Sequence, residues 1–446
     1  MSRTSPDPLA NPAAPEALTT APGPDALVAG AGPEALVAGA GPEAVVTVVG
    51  LDAAGAPPHP ALAPALAGAG LVVGAARHVA AVPVPAGADT VVLGPLAPAV
   101  GRLTEAVAAG VPAVVLASGD PGLFGIVRRL RAAGLPLRVV PAVSSVAAAF
   151  ARAGLPWDGA AVVTAHGRDP RPALNACRAL PLVAVLTAPG AGAAELGAGL
   201  IGWPRRLLVA EHLGTAAERI RPVTPEQAAT ETWSDPHVLL SLADADLFAF
   251  GGMRADNQPA AAPAGGWALP ESRYAHRDSM ITKSEVRALV VARLRPRLGR
   301  LVWDVGAGSG SVGIECALLG AAVLAVEQDP AAGAAIRANA TAHAVDVRLV
   351  TGRAPQALAG LPDPDAVFVG GGGVDVLAAV LTRQPERVVL TLAALDRVAP
   401  AVGLLRAAGY TVQGCQLSAA RLADLPGGSI RLAATNPVVV LTGERQ

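Results

Sequence analysis

Leu301–Gly313 reads LVWDVGAGSGSVG. An apolar run reaches Asp304, a turn carrying Gly306, Gly308 and Gly310 follows, and Val312–Leu319 has the Ala/Leu-rich texture of a helix. Strand, glycine turn and helix in that order form a cradle for a nucleotide cofactor. Glycine lets backbone approach a ligand where a Cβ would intrude, and the helix start presents unpaired N–H groups.

The spacing chooses among cofactors. A dinucleotide fingerprint places G-x-G-x-x-G at the strand end. Counted from Gly306, its third glycine falls on Ser311; a frame at Gly308, Gly310 and Gly313 exists but starts two residues late. The frame that fits the strand end is acidic-x-G-x-G-x-G, the first motif of Rossmann-like methyltransferases that use S-adenosylmethionine. A second strand, Ala322–Val326, runs into Glu327, placed where a carboxylate can hold both ribose hydroxyls. The loop Gly306, Ala307, Gly308, Ser309, Gly310 and Glu327 are therefore the cofactor candidates.

The chain has 446 residues, enough for two or three domains. A formal charge of −1 shows no nucleic-acid footprint. Cys177, Cys316 and Cys415 are scattered, with no C-x-x-C pair, so neither a metal site nor a disulfide framework is indicated. Apolar runs are short and broken, no signal-peptide pattern is seen, and a cytoplasmic enzyme that does not engage a membrane is the expectation. Basic positions are almost all Arg, and Lys283 is the only lysine.

Residues 1–43 are Pro/Ala/Gly-rich, with the near-repeat GPDALVAGA, GPEALVAGA, GPEAVV, and are expected to be a disordered leader. From Ala44 the texture becomes strand–turn–helix: apolar runs at 44–50, 71–74, 90–93, 113–117 and 137–140 predict a parallel α/β sheet. Further runs at 160–165, 182–186, 206–211 and 237–242 predict a second α/β lobe to about residue 250. A Gly/Ala/Pro-rich linker spans 251–270. The last domain, 271–446, opens with a helix over 281–295, with an apolar stripe at Val286, Leu289, Val290 and Leu294 and Thr282 or Ser284 as N-cap. Its strands at 301–305, 322–326, 345–350, 366–369, 387–392, 410–417 and 438–442 suit a seven-stranded methyltransferase sheet ending in an antiparallel hairpin.

These residues resemble the bifunctional precorrin-6Y C(5,15)-methyltransferases (decarboxylating) of cobalamin biosynthesis. In the first half the matching motifs are VVGLDAAG (48–55), GAARH (74–78), LASGDPGLFG (116–125), VVPAVSSVAAAFARAGLPWDGAAVVTAHGR (139–168) and AEHLGTAAERI (210–220). In the second they are ITKSEVRAL (281–289), VWDVGAGSGSVGIE (302–315), GRAPQAL (352–358), FVGGGG (368–373) and NPVVVL (436–441). The resemblance implies a two-lobed tetrapyrrole methylase over 44–250 acting at C-5. It implies a seven-stranded Rossmann-like methyltransferase over 271–446 acting at C-15 with decarboxylation. Each half would use one S-adenosylmethionine on a precorrin, and the assembly would be a homo-oligomer. TLAALD (391–396) departs from the family, which carries an Asn there; GLDAAG departs from a richer glycine turn; Arg353 stands where the family has an acidic residue.

By the same resemblance Thr282 and Ala354 join the cofactor site of the second half, and Gly119, Asp120, Ser144 and Ser145 line that of the first. A capping role stands open for Thr282, Asp120, Ser144 and Ser145 alike. Arg77, His78, His166 and Arg168 are candidates to grip acetates and propionates, since arginine suits bidentate carboxylate contact. Lys283 is divided between a substrate carboxylate and the surface, and Glu315 is expected as a solvated helix residue. No Ser/His/Asp constellation stands out. That agrees with methyl transfer to an electron-rich carbon, where the protein's task is alignment in a dry pocket. Four alternatives stay open: a cobalt-bearing substrate, a half that only binds tetrapyrrole, halves that methylate different small molecules, and a nicotinamide oxidoreductase using the Gly308 frame.

Overall fold

In the computed structural model, residues 46–51, 59–235, 237–243, 267–277 and 281–445 are described. The expected leader, nearly all of the linker and most of the GLDAAG turn lie outside them. The chain forms two compact units, one of residues up to 51 with 58–142, the other of residue 143 onward.

The first unit is a parallel sheet of β1 (Val46–Leu51), β2 (Leu71–Gly74), β3 (Asp89–Val92), β4 (Ala113–Ser118) and β5 (Leu137–Val140), ordered β3-β2-β4-β1-β5. Its central strands are nearly unbroken runs of Val and Leu because both faces are covered. Val46, Val48, Val73 and Val115 point to one side, and Val49, Val72, Val114 and Leu116 to the other. The Leu96–Ala108 helix had no counterpart among the expected elements. It buries Ala99, Leu103 and Ala106, a stripe too small-sided to stand out in an alanine-rich chain.

The second unit holds a five-stranded and a seven-stranded sheet. One comprises β6 (Ala161–Thr164), β7 (Leu182–Leu186), β8 (Arg205–Glu211), β9 (Arg219–Val223) and β10 (His237–Ala243), ordered β6-β7-β10-β8-β9. β10 runs antiparallel to both neighbours and is buried along its whole length. The other comprises β11 (Leu301–Val305), β12 (Ala322–Glu327), β13 (Val347–Thr351), β14 (Ala366–Val369), β15 (Arg387–Leu392), β16 (Tyr410–Leu417) and, after the separate hairpin β17 (Ala420–Asp424) and β18 (Ile430–Ala434), β19 (Val438–Arg445). Its order, β13-β12-β11-β14-β15-β19-β16, has five parallel strands and an antiparallel pair at one end. This is the seven-stranded sheet expected from the sequence. The order reverses between β11 and β14, and ligand sites in such sheets lie at the carboxyl ends beside the reversal.

The two sheets have separate cores, joined by a few contacts. Trp203, just before β8, packs in one cluster with Leu301, Trp303 and Leu324. Arg171 meets Asp365 at 2.7 Å, and Asn175 donates to the carbonyl of Gly299 at 3.1 Å.

The helix expected over 281–295 occupies Ser284–Leu294, and its N-cap is Lys283 rather than Thr282 or Ser284. No side chain of its own closes that end; the Ser284 N–H instead donates to Glu271 at 3.0 Å. The buried face also differs from the expected stripe, being Arg287, Val290, Val291 and Leu294. Arginine sits at i relative to apolar residues at i+3, i+4 and i+7, so a hydrophobic pattern alone misses it.

Candidate functional site

In the second unit the glycine loop joins β11 to the Ser311–Leu318 helix. Gly306, Gly308 and Gly310 have φ of 72°, 56° and 73°, the left-handed region where side chains are strained. At Gly306 a Cβ would also lie 2.9 Å from the backbone nitrogen of Gly371, so this crossing needs glycine on steric grounds too. The Gly306 N–H donates to Val326, and Gly370 N–H to Val305, both at 2.9 Å, so the loop is sewn to the ends of β12 and β14.

Glu327 closes the cradle from β12. Its Oε2 accepts the Gly308 N–H at 2.8 Å, while Oε1 accepts from Gln328 and Asp329. Asp304 is fully buried under the loop and accepts the Gly313 N–H at 2.8 Å. Burial pushes its carboxyl up to about 7; the hydrogen bond opposes this and the Glu327 charge adds to it. Asn339 bridges the carbonyl of Ser309 to both backbone groups of Ala275. Ala354 follows β13 and packs on the core of the sheet.

Thr282 is tied to the loop through Arg287, which the sequence reading did not single out, and Glu315, which it expected in solvent. Arg287 Nη1 donates to the Thr282 carbonyl at 2.7 Å, and Nε to Glu315 at 2.6 Å. Glu315 sits in the helix that follows the glycine loop and is 0 % exposed, against the expected solvated position. It also accepts the Ala268 and Leu269 N–H groups and the Tyr274 hydroxyl. A charged residue in the middle of the apolar VGIECAL helix was the available signal. Lys283 is half-buried, and its ammonium meets no partner among the described residues.

Beside the loop, at the carboxyl ends of β14 and β15, lies a cavity of about 350 Å³. Gly370–Gly373 form one wall and Leu390–Ala394 another, with Arg397 and Val438 completing it. The FVGGGG and TLAALD motifs therefore face one space. The Gly306–Gly371 crossing brings it against the glycine loop.

In the first unit Arg77, His78 and Ser118 form a cluster. Arg77 donates to the Ser118 hydroxyl at 2.9 Å, and His78 Nε2 lies 2.9 Å from the same oxygen. Burial and the adjacent Arg77 charge hold the imidazole below its usual range, hence neutral at pH 7. Gly119 follows Ser118 with φ of 59°, and a Cβ on Gly50 would fall 2.2 Å from its carbonyl oxygen. Asp120 accepts the Gly122 N–H at 2.8 Å; it caps a turn, not the next helix, which starts at Val127.

In the second unit Ser144 caps the Ser145–Ala153 helix by accepting the Ala147 N–H at 3.1 Å, and Ser145 is its first residue. His166 and Arg168 lie exposed in the turn after β6, their side chains without a partner among the described residues. The AEHLGTAAERI motif is taken up by ion pairs, Glu218 with Arg152 at 2.7 Å and buried Glu211 with Arg219 at 3.4 Å.

Comparison with known proteins covers both halves. Residues 60–229 match the family model described as Tetrapyrrole (Corrin/Porphyrin) Methylases, and residues 273–440 that described as Precorrin methyltransferase domain. The chain is 41% identical over 276 residues to a precorrin-6Y C(5,15)-methyltransferase (decarboxylating) of Sinorhizobium sp, covering 59% of this chain and 63% of that protein. It thus matches just under two thirds of that relative's length. It is 33% identical over 345 residues to a protein of the same name from Mycobacterium tuberculosis, covering 76% of this chain and 79% of the relative. A probable cobalt-precorrin-6B C(15)-methyltransferase (decarboxylating) of Pyrobaculum calidifontis is 35% identical over 185 residues, 39% of this chain and 94% of that protein.

Proposed function

The chain belongs to the precorrin-6Y C(5,15)-methyltransferase (decarboxylating) family, and from that membership we propose that it methylates precorrin-6Y at C-5 and C-15. The ring-C acetate loses its carboxyl group as carbon dioxide, its methylene carbon taking up a proton to become a methyl group, and the product is precorrin-8X. Residues 44–250 would carry the C-5 reaction and residues 271–446 the C-15 reaction and decarboxylation, with S-adenosylmethionine serving each half in the cytoplasm. The observation that carries this reading is the Gly306–Gly371 crossing. It places a loop with the geometry of a cofactor cradle against a cavity of small-molecule size.

The residues present fit S-adenosylmethionine. Side chains are barred from the loop at Gly306 and Gly310, the Ser311 helix start faces it, and Glu327 offers a carboxylate at the end of β12. When bound, the cofactor supplies an electrophilic methyl carbon on sulfur. The chain's own part is to hold and exclude. Glu327 and the loop amides orient the ribose and amino-acid ends. Arg287, through Glu315 and the Thr282 carbonyl, keeps the segment before the Ser284 helix in place. Val369, Leu390, Leu392 and Val438 give the adjoining cavity apolar walls that keep water from the reacting carbon. The macrocycle supplies the electrons for methyl transfer, so no general base is required. In the other half the Arg77–His78–Ser118 cluster is proposed to bind a substrate carboxylate, and His166 and Arg168 are each proposed, separately, as carboxylate contacts.

Mass spectrometry of the full chain with S-adenosylmethionine and precorrin-6Y tests this. A gain of two methyls with loss of carbon dioxide is expected. No change with the metal-free substrate, and turnover of the cobalt form, would reassign the substrate; one methyl alone would leave one half as a binding module. The chain is also proposed to be a homo-oligomer, assembled through the β17–β18 hairpin.

A further inference from the structure

We infer that Arg397 is the specificity-determining residue of the β14–β15 cavity, binding a tetrapyrrole carboxylate that the reaction retains. The inference rests on the proposed substrate. Among the described residues Arg397 is the only charged one on the cavity wall, and Thr391 carries the only side-chain hydroxyl there. Its guanidinium has no hydrogen-bond or ion-pair partner among the described residues, although Asp396 is next in sequence and Asp375 lies in the helix that begins at Gly373. The backbone at this point is fixed: the Arg397 N–H donates to the Ala394 carbonyl at 3.2 Å, and the Val398–Ala407 helix starts immediately after.

The wall beneath the guanidinium is bare by construction. A Cβ on Gly373 would lie 3.5 Å from Arg397 Nη1, and Gly373 itself has φ of 70°. An unpaired cation lining a glycine-walled cavity attracts an anion and offers two parallel N–H donors to a carboxylate. A precorrin carries several acetates and propionates around its rim. The acetate that is decarboxylated is a poor partner for Arg397. An ion pair to it would be strongest in the ground state and would fade as the carboxylate becomes neutral carbon dioxide, which slows the step. A retained carboxylate gives binding and orientation without that penalty, so removing the contact should raise KM more than it lowers kcat.

Arg397→Ala in the full chain, assayed with precorrin-6Y, is expected to raise KM for carbon dioxide loss by about 10- to 100-fold. kcat should stay within about threefold, and S-adenosylmethionine affinity and C-5 methylation should be unchanged. Arg397→Lys should recover part of the KM. An unchanged KM, a matching loss of C-5 methylation, or a weakened S-adenosylmethionine affinity would overturn the assignment. Equilibrium binding of precorrin-6Y, followed by absorbance, gives an arm independent of turnover. One class of binding site should weaken in Arg397→Ala, and binding identical to wild type overturns the inference even if the wild type proves inactive. Failure of the wild type to turn over precorrin-6Y counts against the proposed function, not against this residue.

Discussion

Arg205 Nη2 lies 2.6 Å from Asp346 Oδ2, joining β8 of one sheet to the residue before β13 of another, with the arginine side chain wholly buried. Burial lowers the Arg205 pKa despite its partner and raises that of Asp346 despite its own, so the pair is held against a desolvation cost. Arg205 Nε and Nη1 find no acceptor, which adds to that cost. Asp346→Ala leaves a buried guanidinium with no counter-charge and is expected to destabilise by about 3–5 kcal/mol. The double variant Arg205→Met, Asp346→Leu should recover most of the loss, since apolar residues of similar volume carry no such penalty. Urea unfolding of the three variants decides this; a double variant no better than the single one would contradict it.

The two glycines of the cofactor loop separate strain from collision. Gly308 has open space where a Cβ would go, whereas at Gly306 the Cβ would strike Gly371. Gly308→Ala should therefore cost only the left-handed backbone term, about 1–2 kcal/mol. Gly306→Ala should cost more and separate β11 from β14, lowering S-adenosylmethionine affinity as well as thermal stability. Calorimetric titration alongside thermal unfolding checks both, and equal stability of the two variants would refute the steric account.

Arg421 of β17 reaches Glu271 and Glu285, both at 2.6 Å. Burial alone would push Glu271 up, but hydrogen bonds from Arg421 and backbone N–H groups outweigh it and hold the carboxyl at about 2. A carboxylate depressed in the folded state adds stability above its unfolded pKa of about 4.5. That stability is lost as pH falls from 4.5 toward 2. With Arg421 partly exposed, solvent screening limits it to about 1–2 kcal/mol. Glu271→Gln should flatten the stability profile below pH 4.5 and leave its shape above pH 6 unchanged. Unfolding midpoints measured between pH 2.5 and 7 test this, and a parallel slope in the variant would count against the ion pair.

The parallel strands of both units were legible because strands buried on two faces are continuous Val/Leu runs; β2, β14 and β15 fall where those runs lie. Two alanine-rich helices were not, since Leu96–Ala108 and Arg171–Ala179 bury mostly small side chains that carry little periodic contrast. The glycine loop was readable because left-handed backbone and close crossing both demand glycine. Arg287 escaped because a buried ion pair between two helices leaves no mark on its own helix, while Glu315, flagged only by its apolar neighbours, was read as surface. Arg397 escaped because its importance lies in having no partner, a property only the folded chain can show.

The β17–β18 hairpin stands apart from the seven-stranded sheet and shows how an alternating strand can have two working faces. Arg421 and Ala423 point one way, where Arg421 is tied to Glu271 and Glu285. Leu422 pairs across the hairpin with Leu432, and Asp424 with Ile430, so the leucines and isoleucine share the opposite face. There Leu422, Ile430 and Leu432 are 74%, 63% and 66% exposed. Three large apolar side chains on a two-stranded ribbon with free edges are a costly surface for a monomer, and a second copy presenting the same ribbon would cover them. Light scattering of the purified chain should show an oligomer, and Leu422→Asp with Leu432→Asp should shift it toward monomer. Since neither leucine packs in the core, the unfolding midpoint extrapolated to low protein concentration should change little. A monomeric wild type, or an oligomer indifferent to both substitutions, would remove the hairpin from the assembly.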